Sequence, residues 1–308
     1  MERKKNKGIT LIALIITIVV LLILAVVAIN AITGDGIIAH ARTAQKDYID
    51  ATKREEDLLK YYEGVLDTQE IMPTIPELQE KYEFSYYTTL SKAIEDVNGE
   101  TTANADSTKE NAVAGIYKDE NNNVVVVLLR NTELSAQLAI NKNAELNLGG
   151  NAITLTTNEA EIYFGASTTG IVNGMLKGSK IEKNTSGESS KAPKLINAEG
   201  ENISIKGGEY ICKVDNVDAG CIPIKTKITN ELNVKYCKIY AENVSSDATA
   251  IQTQAEVANI ENSSIEVKSK TLSQGIRPVK ATPPNVNVKN CNLKGTATER
   301  KLYCDIKL

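Results

Sequence analysis

A chain of 308 residues with a formal net charge of −4, one histidine and no tryptophan excludes several activities before any motif is sought. The single histidine, His40, rules out a histidine-based metal cluster and stands too far from most of the chain to serve a Ser-His-Asp or Cys-His device. An acidic balance argues against nucleic acid as a partner, because that interaction needs a basic surface to neutralise phosphates.

In chain order, residues 1–8 form a short basic leader holding Arg3, Lys4, Lys5 and Lys7 and ending at Gly8. An apolar run follows from Ile9 to Ile32, interrupted only by the uncharged Thr10, Thr17 and Asn30. At about 1.5 Å of rise per residue such a helix crosses a hydrocarbon core about 30 Å thick, which predicts a transmembrane helix over residues 9–34. The four basic residues ahead of it and Asp35 behind it predict a cytoplasmic N-terminus and an extracytoplasmic remainder. A cleaved secretory signal fits poorly, because it has a shorter apolar region and a small-residue cut site after it, whereas this run leads into Thr33-Gly34-Asp35-Gly36. A plain signal anchor is the alternative.

The order of basic leader, Gly8 and then Ile9-Thr10-Leu11-Ile12 resembles the prepilin signal of type IV pilins and pseudopilins. The resemblance covers roughly the first sixty residues. It implies a prepilin-type signal peptidase as a partner, Gly8 as the residue before the cut, and Ile9 as the new N-terminus, open to methylation. Loss of the leader, in which four bases face Glu2, would take the formal charge from −4 to −7. Most pilins carry a glutamate five residues into the mature chain, where this sequence has Ala13. That departure implies a minor, initiating or merely anchored pilin-like subunit, since a carboxylate in lipid is costly unless paired and its absence removes a specific subunit contact.

Residues 35–66 continue with Ala41, Ala44, Tyr48, Ala51, Leu58, Tyr61 and Tyr62 at mostly three- and four-residue steps among charges, which predicts an amphipathic helical stalk. Pro73 and Pro76 mark residues 67–85 as a linker that stops the helix. From Tyr87 to Val97 a short helix is predicted, burying Leu90, Ala93, Ile94 and Val97, with Thr88 or Thr89 as its cap. Residues 98–112 read as a polar loop, and Asn121-Asn122-Asn123 as a turn before a strand at Val124–Leu129.

Beyond that point the signal is repetition of the form apolar, any, apolar, two any, small or polar, any, apolar. Leu146-x-Leu148-x-x-Asn151-x-Ile153 opens it, and Thr169-x-Ile171-x-x-Gly174-x-Leu176 is a weaker second copy. Four clear copies follow, with second apolar positions at Ile205, Val234, Ile260 and Val288 and corners at Gly208, Cys237, Ser263 and Cys291. The copies recur roughly every 23 to 34 residues, the length of one solenoid turn. Alternation within each copy predicts two strands with one buried face, and a third strand is visible at Leu195-Ile196, Ile222-x-Ile224, Ala250-Ile251-x-Thr253 and Ile276-x-x-Val279. Three short strands per turn make a mainly β parallel β-helix over residues 86–308.

Together with the opening helix, Val124–Leu129 and the run from Ala144 to Leu155, these repeats resemble right-handed β-helix proteins of the pectate-lyase-like class. The resemblance implies a fold and says little of activity. Lyases of that class carry an aspartate-built calcium site beside a basic residue, and its glycosidases a tight aspartate cluster. Here Asp215 and Asp218 share a loop, Asp247 and Asp305 stand apart, and Arg277-Pro278-Val279-Lys280 is only faintly similar to a basic pair, so no catalytic set, metal site or cofactor is assigned.

All five cysteines, Cys212, Cys221, Cys237, Cys291 and Cys304, fall in the repeats. Cys237 and Cys291 share a corner column two turns apart, too far for a disulfide. Cys212 and Cys221 can meet across one loop or remain free thiols. Tyr236 and Tyr240 are expected to point outward on adjacent strands, as contacts for a surface polysaccharide or a protein. The chain thus reads as a membrane-anchored surface protein with a pilin-like N-terminus, serving adhesion or structure and able to meet other pilin-like subunits. A tethered polysaccharide lyase or hydrolase is the competing class.

Overall fold

The computed structural model describes residues 11–33, 41–46, 48–49, 52, 73–100, 104–187, 191–215, 220–227, 230–279 and 285–297. The chain divides into two compact units, Met1–Leu59 and Lys60–Leu308. The first contains an α-helix over Leu11–Thr33, 23 residues long, whose described side chains from Ala13 to Val27 and at Ile29 are all exposed. Residues 41–46 are also helical. Taken over the described residues, no helix is long and apolar enough to cross a membrane. The leader residues Arg3, Lys4, Lys5, Lys7, Gly8 and Ile9, together with His40, lie outside the described residues.

The second unit is a parallel β-solenoid of three sheets with nine, seven and six strands. Each coil adds one short strand to each sheet, and equivalent residues pair coil to coil. On the third sheet Leu138, Ile162, Ile196, Ile224, Ile251 and Ile276 pair in succession, and every one of them is buried. On the second sheet Ile153, Ile181, Tyr210, Ile239 and Ile265 do the same. Each such side chain, taken from water, contributes about 1.5–3 kcal/mol, so the stacked columns are the main source of stability. On the outside, Asn259 donates to Asn233 at 3.0 Å and Asn287 to Asn259 at 2.8 Å, forming an amide ladder down the first sheet.

The predicted opening helix is present at Leu90–Asn98, with Leu90, Ala93 and Ile94 buried. Thr89 caps it by accepting from the Lys92 amide at 3.2 Å, and Gly99, at φ 81°, ends it in the left-handed conformation a C-terminal cap requires. Asn98 then clamps the helix to the third sheet, donating to the Ala139 carbonyl at 2.9 Å and accepting from the Asn141 amide at 2.8 Å. Strands Ser85–Tyr87, Ala114–Lys118 and Val124–Leu128 pair antiparallel, so the first sheet closes its N-terminal end with a meander before the parallel stack begins. That arrangement removes an open edge that would otherwise recruit foreign strands.

Three expectations need correction. Pro73 and Pro76 do not keep the segment extended: Ile75–Lys81 is a helix with Pro76 in its first turn, where a missing amide hydrogen costs nothing. The Glu77 carboxylate accepts from both the amide and the hydroxyl of Thr74, at 2.6 and 2.8 Å, fixing the start. The first two repeat copies are also misaligned in the sequence reading. Leu146 pairs with Val172 and Val172 with Ile205, so the buried column runs through Leu146 and Val172 instead of Leu148 and Ile171. Finally, Lys180–Ser186 is a strand, and its Ile181 takes the core position that the second repeat copy gives to Leu176. Close approach of two coils explains the difficulty, because a Cβ on Gly174 would lie 2.9 Å from the Gly208 Cα, and the corner residues Gly207 and Gly208 both have positive φ.

Candidate binding cleft

The third sheet has strands of three residues at Leu138–Ile140, Ile162–Phe164, Ile196–Ala198 and Ile224–Thr226. Their first and last residues are buried, so the middle ones, Ala139, Tyr163, Asn197 and Lys225, align in register on the outer face. Residues just before these strands rise beside them and enclose a cleft of about 670 Å³, in which Gln137, Glu161, Lys194, Asn197, Lys225 and Lys227 supply the polar lining.

Glu161 is the hub. Its carboxylate accepts from Gln137 Nε2 at 2.7 Å and Asn197 Nδ2 at 3.0 Å and pairs with Lys194 Nζ at 2.7 Å, with the two charged side chains only 8% and 15% exposed. Burial pulls the Glu161 pKa up, but the Lys194 ammonium and the two amide donors outweigh it, so the carboxyl is held below its ordinary value. One coil further on, Glu199 accepts from Tyr163 at 3.1 Å and pairs with Lys227 at 3.0 Å. Lys227 first, and Tyr163 after it, bring the Glu199 pKa down against the opposing effect of burial.

Two groups in the cleft are left over. Lys225 is half-buried, and among the described residues no carboxylate lies within ion-pair distance of it. Burial lowers its pKa first, repulsion from Lys194 and Lys227 adds to that, and the more distant charges of Glu161 and Glu199 offset it in part. The Asn197 Oδ1 is buried with no hydrogen-bond donor. A cation short of an anion beside an acceptor short of a donor suits a ligand bearing a carboxylate and a hydroxyl.

Of the two tyrosines expected to make contacts, Tyr240 lies on the strand Lys238–Asn243, half-buried, with its hydroxyl donating to Glu242 at 2.9 Å. Lys213 and Lys268 hold their ammonium groups 5.4 and 5.2 Å from its ring centre. Tyr236 is not on a strand. It occupies the corner at φ 59°, equivalent to Asn262 and Asn290 in the next coils, because the chain must pass through a left-handed residue there. Asp215 and Asp247 accept from Ser245 and Thr271, each one coil on, so neither joins a carboxylate cluster; Asp218, Lys280 and Asp305 lie outside the described residues.

Sequence reasoning missed both the cleft and a stack of rings at the N-terminal end of the solenoid, in which three half-exposed rings cover the buried Tyr117. There Tyr82 and Phe84 lie 4.7 and 4.9 Å from Tyr117, and Tyr86 lies 5.8 Å from Phe84. Alternation from Phe84 to Tyr86 was the available signal.

Comparison with known proteins is informative at the N-terminus. No curated protein and no solved structure matches the chain. Residues 3–29 match the model of the prokaryotic N-terminal methylation motif. The chain therefore carries a prepilin-type N-terminal motif ahead of a parallel β-solenoid.

Proposed function

We propose that this protein is a pilin-like surface subunit, tethered by its N-terminal helix and displaying a solenoid, coiled right-handedly as in the pectate-lyase-like class, for adhesion. The observation that carries this reading is the methylation motif at residues 3–29 of a chain whose remainder is a β-solenoid. The run from Ile9 to Ile32, with no charge in it, supports the tether, since as a helix rising about 1.5 Å per residue it matches a bilayer core of about 30 Å. The bases before it keep the leader in the cytoplasm, where a prepilin-type peptidase cuts after Gly8. Ala13 suits a minor or anchored subunit better than the bulk of a filament. Protease added to intact cells should remove the solenoid while cytoplasmic markers survive; a solenoid that remains intact would refute display.

In this reading the cleft is the contact site, and its ligand is a surface polysaccharide carrying carboxylates. Lys225 provides the free charge and Asn197 accepts a sugar hydroxyl. Lys225→Gln is expected to weaken binding to an acidic polysaccharide about tenfold, as befits the loss of one charge-assisted hydrogen bond, with no change in melting temperature. Equal binding by the two proteins on a glycan array would move the contact elsewhere. The competing lyase or hydrolase has less support, because Glu161 is held ionised and fully engaged, unlike a carboxyl poised to donate a proton. Incubation with acidic polysaccharides, with and without calcium, should yield no shortened product, and any such product would revive the enzymatic reading.

A further inference from the structure

Among the described residues, Lys183 is the one charged side chain with no exposure to solvent. Down the second sheet, the inward positions Leu155, Lys183, Cys212, Ala241 and Val267 lie in register, so Lys183 and Cys212 are direct neighbours on adjacent coils. Cys221 enters the same space from the other side of its coil, at an isolated bridge to Ala248. Its thiol donates to the Cys212 carbonyl oxygen at 3.5 Å, which sets the Cys221 sulfur against the Cys212 backbone. Both sulfurs are unbridged here, and Lys183, Cys212 and Cys221 are all fully buried. The Lys183 ammonium donates to the carbonyls of Asn158 and Ala160 at 2.9 and 2.6 Å.

From this geometry we propose that Cys212 and Cys221 are a modification site, a disulfide that ties the middle of the second-sheet strand Glu209–Asp215 to the approach of the third-sheet strand Ile224–Thr226 within one coil. The other described cysteines are set apart from this chemistry. Cys237 donates to the carbonyls of Lys235, Gly207 and Ile205 at 3.2, 3.4 and 3.5 Å, and Cys291 to those of Ile260 and Lys289 at 3.3 Å. The Cys221 thiol, by contrast, lies against Cys212 itself, nine residues away in the chain.

The closure is a two-electron oxidation by an incoming disulfide of the extracytoplasmic space. While the coil is still open, one thiol gives its proton to solvent, and the resulting thiolate attacks the oxidant. A mixed disulfide forms and one thiolate leaves. The second thiol, losing its proton, attacks the mixed disulfide and expels the other half of the oxidant. Two protein thiols thus become one disulfide, and the oxidant becomes two thiols. Full burial places this exchange before the coil closes around the pair, after which the bridge resists reduction.

The test uses the full-length chain, purified from membranes in the presence of iodoacetamide and without reductant, then digested for mass spectrometry. The expected result is a linked pair of peptides containing Cys212 and Cys221, with Cys237, Cys291 and Cys304 alkylated. A parallel sample is refolded in a buffer of oxidised and reduced glutathione. A chain that is reduced from cells but closes in glutathione upholds the pairing and counts against extracytoplasmic display. Alkylation of all five cysteines in both samples overturns the proposal. Reductant should lower the melting temperature of the bridged protein by about 5–10 °C and leave a Cys212→Ser/Cys221→Ser double variant unmoved. An equal response of both proteins would also overturn it.

Discussion

Replacement of Ile224 by aspartate is expected to unfold the solenoid, with the far-ultraviolet β signal lost or the urea midpoint driven to near zero. Ile224 is fully buried in the third-sheet column, paired with Ile196 on one coil and Ile251 on the other. Truncation to alanine alone costs about 2–5 kcal/mol through lost transfer energy and an unfilled cavity. Aspartate adds a carboxylate with no partner in a column of isoleucines, and a domain stability of about 5–15 kcal/mol does not absorb both. Because each coil rests on its neighbours alone, the damage spreads along the stack. Gln252→Asp, on the outward side of the adjacent strand, is the control and should shift stability by no more than about 0.5 kcal/mol. A folded Ile224→Asp protein would mean that this column does not form the core.

Lys183 gives the second large effect, and its sign depends on pH. Its pKa in the folded protein is pushed down to about 8, chiefly by burial, from an ordinary value of 10.5. Between those values the unfolded chain binds a proton that the folded chain does not, so folding gains stability as pH rises through the window. Below about pH 8 the folded state carries the full penalty of a buried ammonium, which its two carbonyl acceptors offset only in part. Lys183→Met removes both the charge and the two hydrogen bonds. The wild type should therefore gain on the variant by up to about 3 kcal/mol between pH 8 and 10.5, as seen in denaturation curves of the two proteins at matched pH. A difference independent of pH would show that Lys183 titrates as it does in water. The comparison needs the pair of proteins, because the buried Cys237 thiol, whose pKa burial raises, pulls the stability of both in the opposite direction over the same range.

The parallel β-helix was legible because stacking imposes one requirement on every coil. Ile205, Val234, Ile260 and Val288 fill one position of four successive strands and pair directly in the structure. The opening helix was equally open to reading, since Thr89, Leu90, Ala93, Ile94 and Gly99 stand where a cap, an apolar stripe and a terminator belong. The second coil misled because Ile171 and Val172 are adjacent and equally apolar, and only the neighbouring coils decide which faces inward. Ile75–Lys81 was missed by reading Pro76 as a breaker, although Thr74 and Glu77 spell a capping box and proline is at home in a first turn.

The cleft was hidden for a different reason. Gln137, Glu161, Lys194, Asn197 and Lys225 come from four different coils and meet only through stacking, so no local spacing announces them. Lys183 was missed because lysine in an alternating strand is expected to face water. Counting from Ile181 in steps of two, however, puts it inside. Tyr236 was misplaced by carrying the strand of Leu232 and Val234, which ends at Lys235, into the corner before Cys237. The asparagines at the equivalent corner positions 262 and 290 mark that site as left-handed.

N-terminal sequencing of the mature protein, recovered from membranes and from material sheared off the cell surface, tests the account most directly. A chain that begins at Ile9, and a Gly8→Leu variant that keeps the intact leader, are the predicted results. A wild-type chain that still begins at Met1, or one cut beyond Thr33, would contradict a pilin-like anchor and the display that depends on it.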